Sequence, residues 1–505
     1  MNLFGDKRGW VLGIDLGTTN TAAVAYGPDR PGPVSILHGR NQPVMPSVVS
    51  LKNPALPLVG WLAKDMMLTD PLTTIYGWKR FIGRSLRSEY VQRHRDRFPF
   101  RIHTDPDQQL GAVIGANVFP FTRVAAVVLD QVRHQASAAL RTDIRDCVIS
   151  VPAHFDQGQR EAIQVAGRAA GLNVLRLVNE PTAAALAFGY GQRLDTRIVI
   201  FDLGGGTFDA SVLELVGDVF DVKVTQGDGF LGGIDFDRAI VDRLIDHTQQ
   251  EHRVDLTEEP VVAQRVLAAA EAAKCALSSQ EAVRVHVPMV GHDRRGRMFD
   301  LDYNLSRGEL ERLTAPLVER AIGITEEMLA KGGMTKNDVK HVILVGGQTR
   351  MPLVRRRLTD AFGKQPLTHL DPDVCVAHGA AAVARSVGDI LGATLIDVLS
   401  VPIGIVFPGG ATHFVFERNA QLPATKRIPL EPPTTPILSV GLWQGPGVTS
   451  SERHVLGVIK MPGHLFAAGT GHALELRLTE KLDLAARFVS SVEEVPLLLE
   501  RARRG

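Results

Sequence analysis

Cysteine is scarce. Cys147, Cys275 and Cys375 are the only three among 505 residues, and no two stand at Cys-x-x-Cys spacing. A disulfide framework and a thiolate zinc site are therefore not expected, and a reducing compartment is. Net charge is nearly absent as well, at +1 for the whole chain. No global field draws in nucleic acid or a membrane surface. The basic end, Arg501 to Arg504, reads as a solvated charged terminus rather than a nucleic-acid tail. No apolar run approaches the roughly 20 residues of a membrane helix. The opening MNLFGDKRGW also lacks the apolar centre of a signal peptide. The expected location is cytoplasmic, with neither nucleic acid nor membrane as partner.

What is present is the balance of a folded protein, 45% apolar and 22% charged. The length calls for two or three domains. WVLGIDL and TAAVAY read as strands around the turn GTTN. TRVAAVVLDQVRHQASAAL reads as a helix, CVISVP as a strand, and QGQREAIQVAGRAAG as a helix stopping at Gly171. Strand and helix alternate in this way to about residue 388, predicting an α/β region. Past Asp389 the pattern changes to short apolar runs broken by Pro, Gly, Thr and Ser. An all-β domain is expected over 398–492, after a linker at 389–397 (DILGATLID). The end, VEEVPLLLERARRG, is expected to make at most a turn or two of helix.

An internal repeat points to chemistry. IDLGTTNTAAVA (14–25) and FDLGGGTFDASV (201–212) share an Asp-Leu-Gly turn followed by a strand. A turn rich in Gly and Thr aims backbone N–H groups at phosphate without side-chain obstruction. Asp15 and Asp202, each ending a strand, suit a hydrated magnesium ion, which prefers oxygen ligands and keeps several waters. Gly17, Thr18, Thr19 and Asn20 form one turn, and Gly204, Gly205, Gly206 and Thr207 the other. Either turn alone would be an ordinary hairpin; the pair suggests two halves facing a cleft. VILVGGQTRMP adds a Gly346-Gly347 turn that has neither the Walker lysine nor GxGxxG spacing, with Arg350 placed to lie on a base. Glu271, Lys274 and Ser278, at i, i+3 and i+7, share a helical face that suits a ribose and base edge. A solvated face with an ion pair is the alternative.

These residues resemble the seventy-kilodalton heat-shock chaperones (DnaK type) from about residue 10 to 388. The matching segments are GIDLGTTN, WKRFIGR, VISVPAHFDQGQR, AGLNVLRLVNEPTAAALAFGY, FDLGGGTFD, LGGIDFD and LVGGQTRMP. The first and fifth also occur in actin-like and sugar-kinase ATPases; NEPTAAA with VPAHF…QR and LGGxDFD is specific to the chaperones. The resemblance implies an actin-like (ribonuclease H-like) two-lobed α/β ATPase domain over 1–388 and a small all-β sandwich for substrate. It implies ATP/ADP and Mg2+, with Asp15 and Asp202 organising the metal through water. Lys79 would place the attacking water, Glu180 and Asp209 would support water and metal, and Thr207 would line the γ-phosphate pocket. Read on its own, Lys79 would be a surface lysine beside Arg80. Gly232, Gly233, Glu271, Lys274, Ser278, Gly346, Gly347, Arg350 and Asp373 would hold the rest of the nucleotide.

Pro152 and Arg160 match the family's switch proline and relay arginine. Arg176, Asn179 and Thr182 match positions where a J-domain partner docks, and Asp397 matches the linker aspartate. Departures are Cys275, where an adenine-stacking arginine or an apolar residue is usual, and Phe230 and Ile234, where polar residues are common and exchange-factor contacts or nucleotide release could change. The linker is less leucine-rich than usual, which puts its docking in question. In the β-domain, Ile403, Ile405, Leu438 and Val440 are expected to line a peptide groove that holds extended chains by main-chain bonds. Pro408 falls where an arching apolar residue is usual. The sequence ends at 493–505 in a short tail without the family's helical lid, so peptide is expected to leave quickly. The function expected is ATP-driven binding and release of unfolded polypeptide, with a J-domain co-chaperone and a nucleotide exchange factor. The alternatives are a nucleotide-dependent scaffold for one folded partner and, lacking a sugar-binding segment, a metabolite kinase.

Overall fold

Each Asp-Leu-Gly turn joins two strands at the centre of its own sheet. The computed structural model describes every residue except 1–8, 29–31, 193, 257–258, 294, 369, 387–393, 447–452, 468, 481 and 501–505. The basic end and the linker stretch 389–393 lie outside the described residues. In the first lobe, β1 (Val11–Leu16) pairs antiparallel with β2 (Asn20–Tyr26). Next come α1 (Trp61–Met66), α2 (Phe121–Leu140), β3 (Asp146–Val151), α3 (Gln157–Ala169) and β4 (Asn173–Asn179). β1, β3 and β4 lie side by side and parallel.

The second lobe repeats the device. α4 (Glu180–Gly189) leads to β5 (Leu194–Leu203), β6 (Phe208–Gly217) and β7 (Val219–Asp228), which form an antiparallel meander. After α5 (Gly233–Glu251) and α6 (Pro260–Ala276), β8 (His341–Val345) adds parallel to β5. β5 reads as a continuous apolar run because both its faces are covered. Ile198 and Ile200 pack with Ala183–Leu186 of α4, whereas Val199, Phe201 and Leu203 pack with Phe236, Ile240 and Leu244 of α5. α7 (Cys375–Ser386) then crosses between the lobes, against β1 and α4.

The linker is docked. β9 (Thr394–Ile396) adds parallel to Val219–Asp221 and extends the second sheet by its edge. Only backbone groups make that ladder, so a leucine-rich sequence is not required for it. Beyond it, residues 403–500 form two antiparallel sheets. One runs Thr412–Phe416, Ile403–Val406, Ile437–Gln444, His454–Pro462, Leu499–Glu500. The other runs Ala424–Pro429, Ala473–Leu478, Leu484–Val489, Glu494–Leu497. Their facing sides share one core that includes Ile405, Val440, Leu442, Leu474, Leu476 and Phe488.

Two expectations change here. Glu494–Leu497 and Leu499–Glu500 are strands, not helix: Val495, Leu497 and Leu499 alternate onto the core, and Pro496 opposes a helix interior. Three of the four groove aliphatics are core residues. Ile403, Ile405 and Val440 are 3%, 0% and 0% exposed, while Leu438 is half-buried and Pro408 lies exposed beyond the strand. Sheet packing claims the very side chains that strand parity turns inward.

Candidate functional site

A cleft of about 280 Å3 lies where the two turns meet. Asp15, Gly17, Thr18, Thr19, Asn20, Lys79, Glu180 and Asp202 line it, as do Gly204, Gly205, Gly206, Thr207, Gly233, Glu271, Lys274, Gly346, Gly347, Arg350 and Asp373. Cys275 stands on its wall too, an exposed thiol. Asp209, Gly232 and Ser278 do not line it. α6 ends at Ala276, so Ser278 lies past the helix and not on the face the spacing predicts. Gly232 braces the turn from behind: its amide donates to Asp235 Oδ2 at 3.0 Å, and a Cβ there would come within 2.7 Å of the Gly206 backbone.

The turns interdigitate. A Cβ on Gly205 would sit 1.9 Å from Thr19 Oγ1, and one on Gly206 would sit 2.3 Å from Thr18 Cγ2. Glycine is needed here for close approach of the two loops. Thr19 Oγ1 is buried without a hydrogen-bond partner, a polar atom poised for a bound group. Arg80, from the first lobe, clasps the second turn. Its Nε and one terminal nitrogen donate to the Gly206 carbonyl at 2.9 and 2.6 Å, and that nitrogen also donates to Asp235 Oδ2 at 2.7 Å.

Strand register sets the carboxylates. Asp15 stands beside Ser150 on the parallel neighbour, and Ser150 Oγ donates to its Oδ1 at 2.7 Å. Asp202 faces Asp209 directly across β5 and β6. Like charges at such positions oppose folding, and His154 Nδ1, 3.0 Å from Asp209 Oδ1, relieves part of that repulsion. Glu180 opens α4, whose start Pro181 fixes. Lys79 Nζ donates to Glu180 Oε1 at 2.8 Å, with both side chains buried.

Lys79 and Arg80 are thus not surface cations, at 2% and 4% exposed, because the carboxylates and the Gly206 carbonyl compensate their desolvation. Burial pushes the Glu180 carboxyl up to about 7, against the pull of Lys79. Burial, then the charges of Glu180, Asp209 and Asp15, hold Asp202 well above the carboxylate range. Asp15 is raised by burial as well. Such a site is under-neutralised by its own lysine. Among the described residues no group of three or more His, Cys, Asp or Glu side chains is arranged as a direct metal shell. Carboxylates spaced in this way suit a hydrated divalent cation held through its waters.

At the far end Lys274 pairs with Asp237 at 2.9 Å and donates to the Gly233 carbonyl at 3.1 Å. Glu271 pairs across the cleft with Lys64 of α1 at 2.8 Å, so it does not bond its helix neighbour Lys274. Arg350 is held by Asp371 and Asp373, at 2.6 and 2.7 Å. Phe230 is 8% exposed and packs into the first lobe's core, with Arg80 4.5 Å above its ring. Phe230 therefore belongs to the joint between the lobes; Ile234 is half-buried near Gly77.

A second constellation links the cleft to the linker. Pro152 is buried just after β3. Arg160 of α3 donates to Asn179 Oδ1, and Asn179 Nδ2 donates to Asp397 Oδ2 at 2.7 Å. Asn179 immediately precedes Glu180. Arg176, Thr182 and Asp397 line one cavity of about 450 Å3 with them. Further out, Gln444 Oε1 accepts from the Gln157 amide at 2.7 Å, and Asn419 Oδ1 accepts from the Thr225 amide at 3.1 Å. The β-sheets are thus hydrogen-bonded to both lobes.

Arg80, Ser150, His154 and Asp235 escaped the reading of the sequence although each sits inside a motif already singled out. Spacing marks the segment but not which side chain turns inward. Lys64 carries no sequence signal. Residues 11–431 match the model of the family described as Hsp70 protein.

Proposed function

The chain belongs to the Hsp70 family, and from that premise we propose an ATP-hydrolysing chaperone whose nucleotide state is relayed to residues 398–500. The observation that carries this reading is the buried Lys79–Glu180 pair set beside Asp15 and Asp202 between two glycine turns. Phosphoryl transfer depends chiefly on positioning and charge neutralisation, which this arrangement supplies. Gly204–Gly206 and Thr18–Thr19 would cradle the phosphates, and Asp15 and Asp202 would hold Mg2+ through its waters. The metal, when bound, would neutralise phosphate charge. Lys79 would hold the attacking water, with Glu180 accepting its hydrogen bond, and Thr207 would line the γ-phosphate position. Glu271, Lys274 and Arg350 would keep the nucleoside in place.

Clients on this reading are unfolded segments, and a J-domain protein meeting Arg176, Asn179 and Thr182 and an exchange factor would assist, in a reducing cytoplasmic setting. The test is steady-state ATP hydrolysis with and without a panel of unfolded peptides. Stimulation by peptide is expected; identical peptide affinity with ATP, with ADP and without nucleotide would defeat the coupling. In Asp397→Ala, basal hydrolysis should persist while stimulation falls at least about fivefold, the lower end of usual coupling energies. Equal stimulation in wild type and variant would show that the Asn179–Asp397 bond carries no signal.

A second reading, a nucleotide-dependent scaffold for one folded partner, is favoured by the burial of Ile403, Ile405 and Val440. Recovery of one stoichiometric partner and no unfolded clients would select it.

A further inference from the structure

Behind the catalytic cleft lies a second cavity of about 340 Å3, lined by both lobes and by the β-sheets. It reaches Asp209, His154, Gln159 and His94 on one side and Arg418 and Ser400 on the other. Three of these side chains have a buried polar atom with no hydrogen-bond partner: Gln159 Nε2, Asp209 Oδ2 and His94 Nδ1. Gln159 and Asp209 are 1% and 2% exposed. Buried polar groups are ordinarily paired, so three orphans around one void point to a polar occupant. Gln159 is fixed by its other end, where Oε1 accepts from the Asp156 amide at 3.3 Å. Asp209 is fixed likewise, because His154 Nδ1 lies 3.0 Å from its Oδ1. Both therefore hold their orphan atoms in place.

The occupant's chemistry follows from these atoms. Arg418 is exposed where it lines the cavity and has no carboxylate partner among the described residues. A guanidinium and an amide N–H₂ call for an oxyanion. Asp209 Oδ2, a lone acceptor, calls for an occupant that also carries a proton. Hydrogen phosphate satisfies both demands. Sulfate, fully deprotonated at neutral pH, would set bare lone pairs against the carboxylate. Asp209 also stands at the border of the catalytic centre, where its charge raises Glu180 and Asp202.

We propose that this cavity binds inorganic phosphate as hydrogen phosphate, and that it is where the product of hydrolysis pauses between the cleft and solvent. Arg418 is contributed from beyond the linker, so occupancy depends on docking of the β-sheets. The product's origin rests on the ATPase reading; the binding itself does not.

The test uses the full chain saturated with magnesium and a non-hydrolysable ATP analogue, which keeps added phosphate out of the γ-phosphate position. Radiolabelled phosphate should be retained in equilibrium dialysis, and sulfate should not displace it. Arg418→Ala and Gln159→Glu should each weaken retention about tenfold, the usual scale for a charged hydrogen bond. Gln159→Glu preserves the oxygen that accepts from Asp156, so α3 keeps its start. No retention, which would mean water only, overturns the proposal; so does equal competition by sulfate, or retention unchanged in both variants. A single-turnover arm then separates the sources. Phosphate release should lag cleavage, and the lag should shorten in Arg418→Ala. An unchanged lag removes the product route, and absence of any cleavage defeats the ATPase reading while leaving the dialysis result to decide on the site.

Discussion

Lys79→Ala is expected to lower the rate of ATP hydrolysis by about 10²- to 10³-fold, the usual loss when a preorganised charge is removed from a reacting centre. Nucleotide affinity should change far less, because Glu271, Lys274, Arg350 and the glycine turns remain. Breaking a buried ion pair often costs about 3–5 kcal/mol. Here the cost should be smaller. The Glu180 carboxyl already sits up at about 7, so it can take a proton once its partner is gone. The kinetic defect should therefore appear in a folded protein, checked by single-turnover hydrolysis beside a thermal melt. Lys79→Arg should not restore the rate, since a planar guanidinium cannot occupy the slot of a 2% exposed ammonium. A loss under about tenfold, roughly 1.4 kcal/mol of barrier, would place Lys79 outside the reaction.

Gly379→Ala should be the most damaging small substitution in the fold. A Cβ on Gly379 would lie 1.7 Å from the Ala183 carbonyl oxygen and 2.4 Å from its carbon. Both are backbone atoms of α4 and cannot swing aside. On the other flank of α7, a Cβ on Gly13 of β1 would meet the Ala381 amide at 2.0 Å. Glycine on each contact lets α7 wedge between the lobes. Overpacking against backbone should cost about 3 kcal/mol or more. It would also displace Glu180 at the head of α4, lowering hydrolysis. Gly323→Ala is the control. It lies within the helix Arg307–Lys331 with nothing within 4 Å of its would-be Cβ. That exchange should stabilise the protein by about 0.5–1 kcal/mol, because alanine is the better helix former and loses less backbone freedom. Urea midpoints at constant slope measure both, and the two variants should shift in opposite directions. A Gly379→Ala midpoint equal to wild type would mean that the α4–α7 contact is looser than described.

The paired Asp-Leu-Gly turns, the lysine in WKR and the glutamate of NEPTAAA could be singled out before any coordinates because backbone requirements and family-specific motifs mark them locally. Ser278 shows the limit of spacing, and Asp209 the limit of a position taken from the resemblance. Asp209 lies in a matched motif but lines the cavity behind the cleft, and Ser278 follows the last residue of its helix. The groove aliphatics show another. Alternation in ILSVGLWQ tells that one face is apolar, but not whether a sheet or a ligand covers it. Ile405 and Val440 are covered by the second sheet.

The sequence by itself determined the family, the α/β-then-β order, and the pairing of two glycine-rich Asp-Leu-Gly turns. Those features reside in short segments whose chemistry is local. Only the tertiary structure decided that Arg80 clasps the opposing turn, that Lys64 reaches Glu271, and that β9 is docked beside β7. It also brought Gln159, Asp209 and Arg418 around one void. The physical reason is common to all of these: each joins groups far apart in the chain, and their partners are set by packing and desolvation across an interface that no local pattern encodes.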